Sequence, residues 1–539
     1  KVGGRARGDL CDVLAWHYGA AAELARAAGD AELETAAVDA AVDYLAVSGD
    51  RAMGLDVRAA ARHFERALAV SGPGHPARSG LLSRAAEALF QEGRYRESAA
   101  FLLDAAVGLS AEGDRRAAAL AAARRADVLY ALGDPGVTLQ LEGALSLLEG
   151  EEPCPETVTV LGKLGRSLWL AGDPQAGLGK LEESLDLARR LELPEPVLFL
   201  GYRGGIRCIM GDLGGLDDYE HAVELASARG RMDEASLLTF NHADALLSHR
   251  GPAAAARALT DGLEAARSRR LESIEALPWR AGVSVGLHGE WDAETVRRLS
   301  VNLIESLGML GEWDEALALA ADLTPELERS EAASDLVVVR SQEAILRVCR
   351  GEPELAAPFL GWLEQRGWES EIPWICAYAL LAAAPVRYSL GQPEAALSLL
   401  DGWERRPRPG SGPNYVAYLP LAVRTAARAG DDDLARRLAA GVETTLPMQR
   451  NVSAALDALL SERGDGPERA AALFAAAAAG WRGFSMPYEE GSALLGRGRC
   501  LCAAGRRREA GEALSAARKI FERLGARPAL TETRELLTD

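Results

Sequence analysis

The chain has 539 residues, of which 48% are hydrophobic but only 6% aromatic, and a formal charge of −19. So much length at so even a composition exceeds one compact core and favours a fold whose elements bury their apolar faces only on their neighbours. The acidic balance excludes a nucleic-acid-binding surface, which needs a net basic stripe, and no run of about 18 apolar residues predicts a membrane span.

The start, Lys1-Val2-Gly3-Gly4-Arg5, lacks the apolar core of a signal peptide, and lysine in place of methionine predicts a fragment or processed product with more chain upstream. Helix is expected from about Leu10. From there glycine recurs in steps of 39 or 40 residues: Gly54, Gly93, Gly133, Gly172, Gly211 and Gly251, then Gly311, Gly351, Gly391 and Gly430. Small residues keep phase with it. Seven before the glycine come Ala86, Ala126, Gly165, Gly204, Ala344 and Ala384; five after it come Ser98, Thr138, Gly177, Ala316, Ala356, Ala396 and Ala435. Leucine often sits four before (Leu89, Leu129, Leu168, Leu247, Leu307). Glycine where the chain reverses, small side chains where two helices cross and leucine where they bury area define a helical hairpin: helix A, glycine turn, helix B. Proline and glycine clusters such as Glu152-Pro153-Cys154-Pro155 and Leu193-Pro194-Glu195-Pro196 mark the looser loops between hairpins. In Gly133-Asp134-Pro135 and Gly172-Asp173-Pro174, Asp is expected as N-cap with Pro at the first helical position.

The step from Gly251 to Gly311 is 60 residues, one and a half units, so an odd helix or kink is expected near 271–310. This divides the chain into an N-terminal arm, 1–290, and a C-terminal arm, 291–539, unless the repeats run on as one solenoid. The stretch Arg405 to Pro413 reads as a long exposed loop within one unit, since the spacing from Gly391 to Gly430 survives it. Its arginines, and Arg506-Arg507-Arg508, read as solvated charge.

Chemistry is sparse. Gly179-Lys180 has Pro174 where a phosphate loop needs glycine and Leu181 where it needs a hydroxyl, so no cofactor is expected. The seven cysteines are scattered without a C-x-x-C pair and read as reduced apolar fillers, which places the chain in the cytoplasm. His242 and His249 lie two turns apart on one helix near Asn241 and Asp244, a weak metal signal, and no catalytic or metal residues are assigned. If helix A lines a concave wall, the residue three before the glycine points into the groove: Phe90, Tyr130 and Trp169 in successive units, and Tyr388 later. The residue six before shares that wall: Glu87, Asp127 and Arg166. Aromatic rings flanked by charges suit a peptide or a polar small ligand. The same rings would also serve as packing between neighbouring A helices.

Gly93-x-Tyr95, Gly311-x-Trp313 with Ala316, and Gly391-x-Pro393 with Ala396 resemble the second half of the tetratricopeptide repeat, at a longer period than its usual 34 residues. The opening from Leu14 through Leu68 and the close from Pro487 to Ala526 resemble the borders of the repeat region in large bacterial signalling ATPases, adenylate-cyclase-like or LuxR-type. The resemblance implies an all-α, right-handed superhelical solenoid. It further implies the sensor or protein-interaction arm of such a regulator, binding a protein, a peptide or a small-molecule inducer, with no direct nucleic acid or membrane partner and a homo-oligomer permitted. The alternatives are a structural scaffold or oligomerisation arm, and part of a multidomain enzyme, such as a nucleotide cyclase, whose catalytic domain lies outside this chain.

Overall fold

The computed structural model describes residues 10–53, 55–132, 134–275, 288–329, 333–406, 414–464 and 466–538. Among them the chain is helical throughout, with no strand. It forms two compact units, Lys1–Ile206 and Arg207–Asp539. The sequence reading puts a division at 290/291 instead, and the stretch that suggested it, 276–287, lies outside the described residues.

Unit 1 runs α1 (Cys11–Ala28), α2 (Ala31–Ala52), α3 (Val57–Ser71), α4 (Arg78–Gln91), α5 (Tyr95–Ala111), α6 (Arg115–Ala131), α7 (Val137–Ser146), α8 (Pro155–Leu170), α9 (Pro174–Arg190) and α10 (Val197–Ile209), whose end begins unit 2. Unit 2 continues with α11 (Gly214–Ala228), α12 (Met232–Arg250), α13 (Pro252–Glu275), α14 (His288–Leu310), α15 (Trp313–Arg329), α16 (Ala333–Arg350), α17 (Ala357–Glu369), α18 (Pro373–Ser389) and α19 (Pro393–Glu404). After a short 3-10 turn, Asn414–Tyr418, come α20 (Leu419–Arg428), α21 (Asp432–Ala439), α22 (Pro447–Gly464), α23 (Pro467–Gly483), α24 (Pro487–Ala503), α25 (Arg507–Leu524) and α26 (Arg527–Thr538).

The glycine period is a backbone requirement. Gly93, Gly172, Gly211, Gly251, Gly311, Gly351, Gly391 and Gly430 all have φ between 74° and 95°, the left-handed region that a Cβ disfavours. Gly54 and Gly133 lie outside the described residues. The small residues in phase sit where helices cross: a Cβ on Gly165 would meet the Gly177 carbonyl oxygen at 2.8 Å, and one on Gly177 the Gly165 oxygen at 2.7 Å. Elsewhere the crossing is made by Ala86 with Ser98, whose hydroxyl donates to the Ala86 carbonyl at 2.7 Å, and by the fully buried Ala344, Ala356, Ala384 and Ala396.

Local chemistry follows the sequence with three exceptions. Asp173 caps α9 through the Ala176 amide at 2.9 Å with Pro174 first in the helix, as expected. Asp134 instead accepts from the Gly136 amide at 2.7 Å, and α7 starts at Val137, so Pro135 belongs to a turn rather than to the helix. The 60-residue step holds no odd helix among the described residues: α13 and α14, of 24 and 23 residues, pack against each other, and 276–287 between them lie outside the described residues. Arg406 is not solvated charge, because its guanidinium donates to the Gly367 and Trp368 carbonyls at 3.0 and 2.7 Å and caps the end of α17. The rest of the expected exposed loop, 407–413, lies outside the described residues, while α19 before it is short, at 12 residues.

The two units bury their helices differently. In unit 1 each helix packs on the next one or two along the chain, forming successive cores around Phe64 and Leu89, Leu141 and Leu164, then Leu161 and Leu187. In unit 2 the chain also folds back on itself. The A helices α12, α14 and α16 pack against the later A helices α22, α24 and α26.

Candidate functional site

In unit 1 the A helices α6, α8 and α10 stand side by side, and their exposed faces, with α7, enclose a cleft of about 270 Å³. Across it runs a diagonal of three side chains. Tyr130 lies three residues before the turn glycine of its hairpin, Arg166 six before Gly172, and Tyr202 nine before Gly211. Each step of three residues along a helix keeps the same face, so the three meet across three helices. The Arg166 guanidinium carbon lies 4.4 Å from the Tyr130 ring centroid and 5.5 Å from that of Tyr202, a cation held between two π faces. Arg166 has no ion-pair partner among the described residues, and Tyr130 is 48% exposed.

The second cation of the cleft is already neutralised: the Lys163 ammonium pairs with the Asp127 carboxylate, across α8 and α6. Thr138 and Ser167 hydroxyls hydrogen bond at 2.8 Å at the floor, where α7 meets α8. Arg166 is therefore the one lining cation without a carboxylate among the described residues, a planar fork of N–H donors stacked on two rings.

Of the residues the sequence singled out, the structure brings Asp127, Tyr130 and Arg166 into this cleft. Glu87 and Phe90 lie outside its lining. Glu87 accepts from Gln91 at 3.1 Å, while Phe90 packs on the core of its own hairpin with its ring 5.4 Å from Tyr95. Trp169 is half-buried with its Cβ against Gly177 at the crossing of α8 and α9. Tyr388 belongs to unit 2, in a smaller cleft of about 180 Å³ between A helices, whose arginines are all paired: Arg424 with Glu489, and Arg428 and Arg499 with Glu532. Lys163 and Tyr202 were missed. Both sit nine before a turn glycine, so extending the same phase by one more helical step finds them.

His249 is an ordinary buried histidine, its Nε2 2.9 Å from the Cys208 carbonyl, and no cluster of three metal-ligating side chains occurs among the described residues. No disulfide joins cysteines among the described residues, and the Cys208 and Cys349 thiols are pushed up to about 12 and Cys500 to about 11, chiefly by burial, which makes these three poor nucleophiles. No described helix is long and apolar enough to cross a membrane.

No family model and no curated protein matches the sequence. Solved structures with a similar course include the APC/C hetero-tetramer Cut9–Hcn1, 14% identical over 92% of this chain and 94% of that one, with a TM-score of 0.44. The apo form of the quorum sensor NprR from B. thuringiensis is 15% identical over 77% of this chain and 99% of that one, at 0.37. BtubC from P. vanneervenii is 18% identical over 41% of this chain and 92% of that one, at 0.33. At these scores the likenesses add nothing to the hairpin architecture already described.

Proposed function

We propose that the chain is a non-catalytic binding module whose unit 1 cleft captures a carboxylate-bearing segment of a protein partner. The observation that carries this is Arg166, held between Tyr130 and Tyr202 without a counter-charge among the described residues. A stacked guanidinium loses little freedom on binding and presents a fork that matches a carboxylate. The rings beside it give contact area at low entropy cost. In the wider reading, suggested by the repeat pattern and its borders, the chain is the partner-binding arm of a larger bacterial signalling ATPase or transcription regulator in the cytoplasm.

Selection of 12-residue peptides on the immobilised full chain tests the proposal. Peptides rich in Asp or Glu, or dependent on a free C-terminal carboxylate, are expected to be enriched. Arg166→Met is expected to abolish their binding with an unchanged melting temperature, and Tyr130→Ala or Tyr202→Ala to weaken it about fivefold, the size of a cation–π contact. Enrichment without acidic preference, or binding that survives Arg166→Met, refutes it.

A further inference from the structure

Unit 2 contains a second, larger cleft, of about 370 Å³, formed by α11, α12 and α13 with Leu299 of α14. Its wall includes His242, only 7% exposed, whose buried Nε2 has no hydrogen-bond partner among the described residues. The ring is fixed all the same, stacked on Tyr219 with centroids 5.7 Å apart and planes 24° from parallel. The contrast with His249, seven residues on in the same helix and bonded to a carbonyl, sets His242 apart from a histidine satisfied by packing. An unpartnered buried polar group costs stability that a ligand hydrogen bond would return.

The rim has its own unsatisfied chemistry. Glu220 and Glu224, one turn apart on α11, and Asp261 on α13 all line the cleft, and none has an ion-pair partner among the described residues. Nearby carboxylates do find cations: Asp212 and Asp218 both bind Arg207, at 2.7 and 2.8 Å. Like charges at i and i+4 on a helix repel, and a bound cation relieves that repulsion. The lining also includes the apolar side chains of Val223 and Leu299.

We propose that this cleft binds a small organic amine, whose ammonium donates to His242 in the field of Glu220, Glu224 and Asp261 while its apolar body lies on Val223 and Leu299. Burial, with a smaller contribution from Arg250, lowers the His242 pKa to about 4. At neutral pH the imidazole is therefore uncharged, does not repel a cation, and offers a lone pair to an N–H donor. This site lies in the other unit from the Arg166 cleft and takes the opposite charge, so its failure would leave the peptide reading untouched.

Calorimetric titration of the full chain with phenethylamine, and with 3-phenylpropionate as its acidic counterpart, tests the assignment. Phenethylamine is expected to saturate one site while the acid binds at least about tenfold more weakly. In the parent protein the ring 15N resonances of His242 shift on addition of the amine. The exposed double variant Glu220→Gln/Glu224→Gln is expected to fold normally and lose about tenfold in affinity. His242→Phe is expected to lose at least that much without a drop in melting temperature. No heat from millimolar amine, equal binding of amine and acid, or unchanged affinity in the double glutamine variant overturns the proposal.

Discussion

Units 1 and 2 are built from the same hairpin, and the position six residues before the turn glycine shows how differently they use it. In unit 1 that position holds Asp127 and Arg166, which line an open cleft. In unit 2, among other residues, it holds Glu305, Arg424 and Arg499, each bonded to side chains of other elements of that unit. Glu305 accepts hydrogen bonds from the Tyr378 and Tyr418 hydroxyls at 2.9 and 2.7 Å, and Arg424 makes a two-point pair with Glu489 at 2.7 Å on both sides. One sequence position thus lines an open cleft in unit 1 and supplies cohesion between helices in unit 2. A pattern of polar residues on a repeat's inner face does not by itself identify a binding groove.

The sharpest way to break this contrast is to remove a polar partner from each wall. Glu489→Gln leaves Arg424, with 12% of its side chain exposed, without a counter-charge, and is expected to destabilise unit 2 by roughly 3–5 kcal/mol in urea unfolding. Asp127→Asn frees the partly exposed Lys163 and is expected to change stability by less than about 1 kcal/mol. Equal losses would erase the distinction.

A smaller effect comes from the turns. Gly251→Ala combines a φ of 88° with a new Cβ 2.6 Å from the Phe484 carbonyl oxygen, a backbone atom that cannot step aside, so about 3 kcal/mol is expected. Gly93→Ala, at φ 83° with nothing within 4 Å, carries only the conformational strain, about 1 kcal/mol. Melting temperatures of the two variants check the ratio.

The smallest effect is one of pH. Burial raises the Glu305 carboxyl above its ordinary value, and the hydrogen bonds from Tyr418 and Tyr378 only partly oppose it. The folded state then holds this proton more tightly than the unfolded chain does. Its contribution is complete below the unfolded value of about 4.3 and is lost as pH rises through the folded one. Glu305→Gln keeps the acceptor oxygen without the charge. Its melting temperature is expected to match the parent near pH 4 and to exceed it increasingly toward pH 8, and parallel curves would contradict the assignment.

The hairpin architecture was legible because it is written locally. A left-handed turn admits glycine, a close crossing admits Gly165 and Gly177, and both recur at fixed spacing. The cleft was legible in part for the same reason, since Asp127, Tyr130 and Arg166 share that phase. The fold-back of unit 2 was not. Its contacts join Gly311 to Leu524 and Gly351 to Pro528, pairs far apart in sequence whose members look like any other turn or core residue. The unpartnered Nε2 of His242 was equally hidden, because spacing shows which face a histidine shares but not whether its nitrogens find partners.

The free edges of the unit 1 turns have a practical side. At Gly93 and Gly172 nothing borders the reversal, whereas Gly251, Gly311 and Gly351 are each capped by a later segment. A fluorophore, an epitope or a tethered peptide spliced in at the former pair would ride on the surface without disturbing the stack, giving a handle for testing the proposed binding at the Arg166 cleft; the same graft at the latter three would pry the second unit apart.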